Sequence, residues 1–313
     1  MKHKPSVIFM GTPDFAVPSL TALADFGCQI PLVVTQPDRP KGRGRKLTPP
    51  PVKKAAENMG LAIAQPEAAK SEAFYQTILD YQPDLLVIVA FGHILPKRIL
   101  EIPRYGAINV HASLLPKYRG PAPIQWAIIN GEQATGVTTM LMDSGLDTGE
   151  ILMAAKTEIR TDDTAGSLHD RLARAGGDLL RQTISALEAG TLQPRPQNHG
   201  ETIYAPMLKK SDGRIEWSQT AAKIERQIRG MNPWPLAHCF YEDLRLNIFK
   251  AEVRPATQDA APGTVIPGFS KELRIATGRD ALSILELQAA SGKRLSIDDF
   301  LSGMHIPEGA VLI

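Results

Sequence analysis

Residues 106–132, GAINVHASLLPKYRGPAPIQWAIINGE, read as a strand, a rigid turn and a helix in direct succession. Asn109, His111 and Ser113 alternate with Val110 and Ala112, and side chains two apart on a strand leave from one face. The run from Pro116 to Pro121 then turns the chain, and Pro121 is expected to open the apolar helix, where its missing N–H is tolerated. Whether this strand–helix alternation recurs decides the fold.

It recurs on both sides. SVIFM (6–10) and IPLVV (30–34) are short apolar runs around the helix-like FAVPSLTALADFG (15–27). PVKKAAENMG (51–60) and SEAFYQTILDY (71–81) precede DLLVIVAFG (84–92), while TGVTTMLMD (135–143) and GEILMAAKTEI (149–159) look like later strands near an edge. Alternation of this kind implies an α/β domain with a doubly wound, mostly parallel sheet. TAGSLHDRLARAGGDLLRQTISALEAG (164–190) reads as a long amphipathic helix interrupted at Gly176 and Gly177 and closed by Gly190. The first domain is therefore expected over 1–190.

Periodicity is lost in the Pro-containing connector 191–208. Over 209–313 one helical segment, QTAAKIERQIRGMNP (219–233), is followed by the short runs LAHCFY, LRLNIFKAEV, GTVIPG, ELRIATG and ALSILELQ. Strands separated by turns of that length suggest a small C-terminal β-barrel or sandwich.

Composition narrows the class. Hydrophobic residues make up 43% and charged residues 22% of 313 residues, which fits neither a disordered chain nor a membrane class. The apolar run near the start stops at Gly11, so it reads as a first strand and not an export signal. Two distant cysteines without a CxxC suit a reducing cytoplasm, where the protein is expected as a monomer. The net charge of +2 does not announce a nucleic-acid binder, but DRPKGRGRKLTPPPVKK (38–54) gathers Arg39, Lys41, Arg43, Arg45, Lys46, Lys53 and Lys54 against Asp38 alone. Such a run suits phosphate contacts, but read alone a charge run is more often a solvated loop.

The nucleotide markers of α/β domains are missing. GTPDFA (11–16) lacks the GxGxxG glycines and carries Pro13 where a free amide is needed; no P-loop, GxSxG, HExxH or paired-cysteine motif occurs, and no metal is expected. Ligands of doubly wound sheets bind beyond the carboxyl ends of strands, where Asn109 and His111 sit. The loop LMDSGLDTGE (141–150) could bring Asp143 or Asp147 to the imidazole. An amide that donates to an oxyanion, an imidazole and a carboxylate suit acyl transfer between two bound substrates, without an enzyme nucleophile. Read alone, His111 fits a hydrogen-bonded core histidine equally well.

Together, NVHASLLPKYRGPAPIQWAIINGE (109–132) and GVTTMLMDSGLDTGEIL (136–152) resemble the formyltransferase family that uses 10-formyltetrahydrofolate. The resemblance implies that Asn109, His111 and Asp147 are the catalytic trio, with Ser113, Leu114, Leu115 and Pro116 as the signature turn beside the folate. FMGTPDFAVPSL (9–20), VVTQPDRPKGRGRKLTPPPVK (33–53), YAPMLKKSDGRIEW (204–217) and RGMNPWPLAHCF (229–240) are similar to the branch whose acceptor is initiator methionyl-tRNA, over essentially the whole chain. That branch implies a Rossmann-like first domain and a C-terminal barrel of the OB type. It also implies that the basic loop 39–47, with Arg39, Lys41, Arg43, Arg45 and Lys46, enters the acceptor stem; from the residues alone, Lys209 and Lys210 near the start of the barrel could track the RNA backbone. In AFGHILP (90–96), Phe91, Ile94 and Leu95 would flank the pterin, with Asp143 near its other edge. The rivals are a formyltransferase for a small amine, such as an amino sugar nucleotide or glycinamide ribonucleotide, and an RNA-binding module on a catalytically silent α/β domain.

Overall fold

The structure, a computed structural model, describes residues 4–42, 44, 46–256, 259–269 and 272–313. In chain order the elements of the first part are β1 (Ser6–Gly11), α1 (Val17–Asp25), β2 (Gln29–Val34), β3 (Arg39–Lys41), β4 (Lys46–Thr48), α2 (Pro51–Asn58), β5 (Ile63–Ala64), α3 (Glu72–Tyr81), β6 (Leu85–Val89), α4 (Lys97–Leu100), β7 (Ala107–His111), α5 (Pro123–Ile129), β8 (Ala134–Leu141), β9 (Ile151–Glu158) and α6 (Ala165–Ala189). The second part adds α7 (Ala221–Gly230), β10 (Ala237–Tyr241), β11 (Leu244–Arg254), β12 (Leu273–Ala276), β13 (Ala281–Ala289), β14 (Leu295–Ser296) and α8 (Ile297–Gly303). Contacts divide the chain into two units, one of residues up to Pro123 with Ala134–Glu158 and His169–Ala205, the other of Ile124–Gln133, Ile159–Leu168 and Pro206–Ile313.

In the first unit, seven strands lie in the order β5-β2-β1-β6-β7-β8-β9. The first five pair in parallel, and β8 and β9 pair antiparallel at one edge. Every residue of β6 is buried, as a strand covered on both faces requires, whereas β9 alternates between covered and open positions along most of its length. One face packs Ile8, Met10, Val34, Leu86 and Ile88 against Phe74 and Ile78 of α3. Among the described residues no helix is long and apolar enough to cross a membrane.

Two local expectations are corrected. Helix α5 begins at Pro123 and not Pro121, because the Ala122 N–H donates to the Ala205 carbonyl (3.3 Å) and keeps that residue in the turn. Helix α6 runs unbroken through Gly176 and Gly177. Those glycines permit close packing: a Cβ on Gly177 would lie 2.8 Å from the Pro18 carbonyl oxygen, and one on Gly176 would lie 3.0 Å from Val110. In an open helix Gly→Ala stabilises by about 1 kcal/mol. Here the obstacle is backbone of α1, so Gly177→Ala is expected to destabilise the protein by about 1–3 kcal/mol in urea unfolding; a more stable variant would contradict this packing.

In the second unit the antiparallel order is β10-β11-β13-β12, with β14 on β13. Two irregular segments join its edges into a barrel. Gly263 and Ile266 donate to carbonyls of β12, Leu312 donates to Gly263, and Phe240 of β10 exchanges both bonds with Ile313. GTVIPG therefore closes the barrel through isolated bridges at Thr264 and Val265 and not as a full strand. Trp217, Ile224, Ile228, Leu246, Leu282 and Leu287 belong to its core. Both cysteines are buried free thiols, and burial pushes Cys28 up to about 11 and Cys239 up to about 12.

Candidate active site

Strand β7 lies between β6 and β8, with Asn109 opposite Met140 and His111 opposite Thr138. Past its end the chain folds back over the histidine. Ser113 Oγ donates to the Lys117 carbonyl (2.6 Å), and Thr138 Oγ1 donates to the Ser113 carbonyl (2.7 Å) while accepting from Leu115 N (3.2 Å). The Leu115–Pro116 bond is cis. Tyr118, at φ 61°, is a non-glycine residue in the left-handed region, and its carbonyl meets Nε2 of His111 at 2.9 Å. A carbonyl only accepts, so Nε2 carries the proton and Nδ1 is the nitrogen left for chemistry.

Asp147 sits in the tight connection between β8 and β9 and is itself left-handed, at φ 52°. One carboxylate oxygen accepts from Gly120 N (2.8 Å) and lies 3.7 Å from Nδ1 of His111; the other lies 3.4 Å from Nδ2 of Asn109. The carboxylate thus stands between the amide and the imidazole, with the side chain of Asp147 11% exposed and that of His111 7%. The 3.7 Å separation exceeds a hydrogen bond, and contacts of this kind tighten when substrate binds. Gly120 has φ 112°, and a Cβ there would meet the Ala205 carbonyl oxygen at 2.8 Å, so only glycine gives the Asp147 carboxylate this N–H.

Two side chains not singled out from sequence hold this arrangement. Gln197 Nε2 donates to the carbonyls of Asp147 (2.9 Å) and Gly149 (2.7 Å), and its Oε1 accepts from Nε (3.1 Å) and Nη2 (2.6 Å) of Arg119. Both are 6% exposed. Nη2 of Arg119 also meets Nδ1 of His199 at 3.2 Å, and since guanidinium only donates, Nδ1 accepts. Backbone bonds from Arg119 to Ile203 (2.9 Å) and from Ala205 to Arg119 (2.7 Å) tie the turn to the same segment. The expected connector therefore contributes to the site. The one signal available was an Arg and a Gln in stretches too rich in Pro and Gly to be core.

The other candidates fall as follows. Ser113 is fully buried in the turn and Leu115 is buried, with Leu114 and Pro116 half-buried. The side chains of Phe91 and Leu95 pack in the core of the sheet, while Ile94 is 76% exposed beyond the carboxyl end of β6. Asp143 accepts from Gly145 N (2.9 Å) and Thr148 Oγ1 (2.6 Å), which caps the loop leading to Asp147. Of the basic run, Arg39 and Lys41 lie in β3 and Lys46 in β4; the two strands form an antiparallel hairpin in which Arg39 pairs with Thr48 and Lys41 with Lys46. Arg43 and Arg45 lie outside the described residues. Lys209 and Lys210 are exposed at the start of a short 3-10 turn. Among the described residues no cluster of His, Cys, Asp and Glu could hold a metal ion.

The formyl transferase family matches residues 4–184, and the C-terminal domain of formyl transferases matches residues 207–305. A methionyl-tRNA formyltransferase of Desulfotalea psychrophila is 50% identical over 98% of this chain and 95% of its own. That of Pelotomaculum thermopropionicum is 50% identical over 98% of each chain. Among solved structures, the sugar 3N-formyl transferase WlaRD shares the fold with a TM-score of 0.67 at 20% identity, over 93% of this chain and all of its own. HypX from Aquifex aeolicus, in complex with tetrahydrofolic acid, gives 0.62 at 16% identity over 96% of this chain and 47% of its own. With both domains matched and half of its residues shared with relatives of the same length, this chain belongs to the formyl transferase family.

Proposed function

We propose that this chain transfers the formyl group of 10-formyltetrahydrofolate to the α-amine of methionine on initiator methionyl-tRNA. What carries the reading is the meeting of Asn109, His111 and Asp147 at the carboxyl end of β7, in a chain half identical along its length to proteins named for that reaction.

The neutral amine attacks the formyl carbon and the carbonyl pair moves to oxygen. Collapse then breaks the bond to N10 of the folate, which takes up a proton. One C–N bond forms, one breaks, and nothing is oxidised. Asn109 donates through Nδ2 to the developing oxyanion, and His111 joins it as the doubly protonated imidazolium, donating from Nδ1 while its Nε2 proton is held by the Tyr118 carbonyl. Asp147 supports the imidazole and takes the ammonium proton, directly or through water. Exposed Ile94 offers the pterin apolar cover, and the turn 113–116 bounds its site.

For the acceptor, the basic residues Arg39, Lys41, Arg43, Arg45 and Lys46, with Lys209 and Lys210, would contact phosphates of the tRNA. A chain working on this substrate belongs in the cytoplasm and is taken to act as a monomer. In this reading residues 1–190 form the catalytic domain, 191–208 a connector and 209–313 a tRNA-binding domain.

A single-turnover assay with charged initiator tRNA, charged elongator methionine tRNA and glycinamide ribonucleotide tests the reading. Formylation of the initiator alone is expected. Formylation of the small amine and of neither tRNA would leave the catalytic centre standing and reject the acceptor.

A further inference from the structure

The hairpin β3–β4 and the loop after β6 meet on one side chain. Gln36, half-buried just past β2, donates through Nε2 to the Phe91 carbonyl (3.0 Å) and accepts through Oε1 from Nη2 of Arg39 (2.8 Å). A neutral amide can donate at one end and accept at the other, so it serves both partners at once. Thr12, just past β1, donates to the same Phe91 carbonyl (3.1 Å) and accepts from Gln36 N (3.3 Å). From the other side, Gln65 Nε2 donates to the Gln36 carbonyl (2.8 Å) and to Asp38 (2.8 Å), and Asp38 also accepts from Lys53 (2.9 Å). These hydrogen bonds, Gln65 first and Lys53 second, hold the Asp38 carboxyl below its ordinary range. The loop is pressed closely onto the amide: Gly92 has φ 82°, and a Cβ there would lie 2.3 Å from Nε2 of Gln36.

We propose that Gln36 is a positioning residue shared by both substrates, fixing the loop 90–96 relative to the basic hairpin at the carboxyl ends of β1, β2 and β6. The inference rests on the proposed function, which assigns the folate to the loop and the tRNA to the hairpin. Gln36→Leu removes both bonds. Gln36→Glu keeps an acceptor for Arg39 and loses the donor to Phe91.

Steady-state kinetics and amide hydrogen exchange on the full chain test it. For Gln36→Leu, KM is expected to rise about three- to tenfold for both 10-formyltetrahydrofolate and methionyl-tRNA, with kcat within about twofold, as loss of ordinary hydrogen bonds away from the reacting atoms predicts. Exchange should quicken in the hairpin and in residues 90–96 together. For Gln36→Glu, the folate KM alone should rise, and only residues 90–96 should exchange faster. A Gln36→Leu protein that changes one KM and one segment, or neither, overturns the proposal. If the unmodified protein forms no formyl-methionyl-tRNA, the proposed function fails, while the exchange pattern still decides whether Gln36 joins the two segments.

Discussion

Replacing His111 with alanine is expected to slow formyl transfer by about 10²–10⁴-fold, the range for an oxyanion donor or a proton-transfer group. The imidazole stands between a fixed carbonyl and a carboxylate: Nε2 is held by Tyr118 at 2.9 Å, and Nδ1 faces Asp147 at 3.7 Å. Loss of the ring leaves the Tyr118 carbonyl and Asp147 without that partner, a folding penalty of about 1–3 kcal/mol that a domain of ordinary stability survives. The rate loss should therefore appear in single-turnover kinetics of a folded protein, with substrate KM values little changed. Near-normal turnover would return His111 to the role of a core histidine.

The second large effect is expected at Gln197, which touches no reacting atom in the proposed mechanism. Gln197→Leu removes the donor that holds the carbonyls of Asp147 and Gly149, and the acceptor of two N–H groups on the buried guanidinium of Arg119. Stability should fall by about 2–4 kcal/mol, because hydrogen bonds of a buried charged group are lost. Turnover should fall about 10–100-fold, since Asp147 keeps its strained left-handed backbone only while its neighbours hold it. Gln197→Glu separates the two effects. A carboxylate pairs well with Arg119, so stability should be largely retained, but it cannot donate to either carbonyl, so kcat should still fall. Equal kcat in the Glu variant and the unmodified protein would assign Gln197 a structural role alone.

The parallel sheet was legible because fully buried strands are written as apolar runs of five or six residues, SVIFM and DLLVIVA among them, separated by helical periodicity. Asn109 and His111 were legible for a local reason, their two-residue spacing at a strand end. The approach of Asp147, 36 residues after His111, depends on the antiparallel turn between β8 and β9, and only the loop motif hinted at it. Gln197 and Arg119 left little trace because they act by gripping backbone carbonyls and each other, a task many polar residues perform. Gly176 and Gly177 misled because glycine's low helix propensity was weighed without the close approach of α1, which overrides it. The barrel's closing segments were blurred for a related reason: isolated bridges at Thr264 and Val265 impose no alternating pattern over a useful length.

Rapid quench with a formyl-labelled donor tests direct transfer at the centre of Asn109, His111 and Asp147. The protein is mixed with labelled 10-formyltetrahydrofolate, sampled, and then given charged initiator tRNA. The account predicts no label on the protein at any time, and label on the methionine α-amine within the first turnover. Labelled protein before tRNA is added, or a tRNA that stays unlabelled in the presence of folded protein and donor, would contradict it.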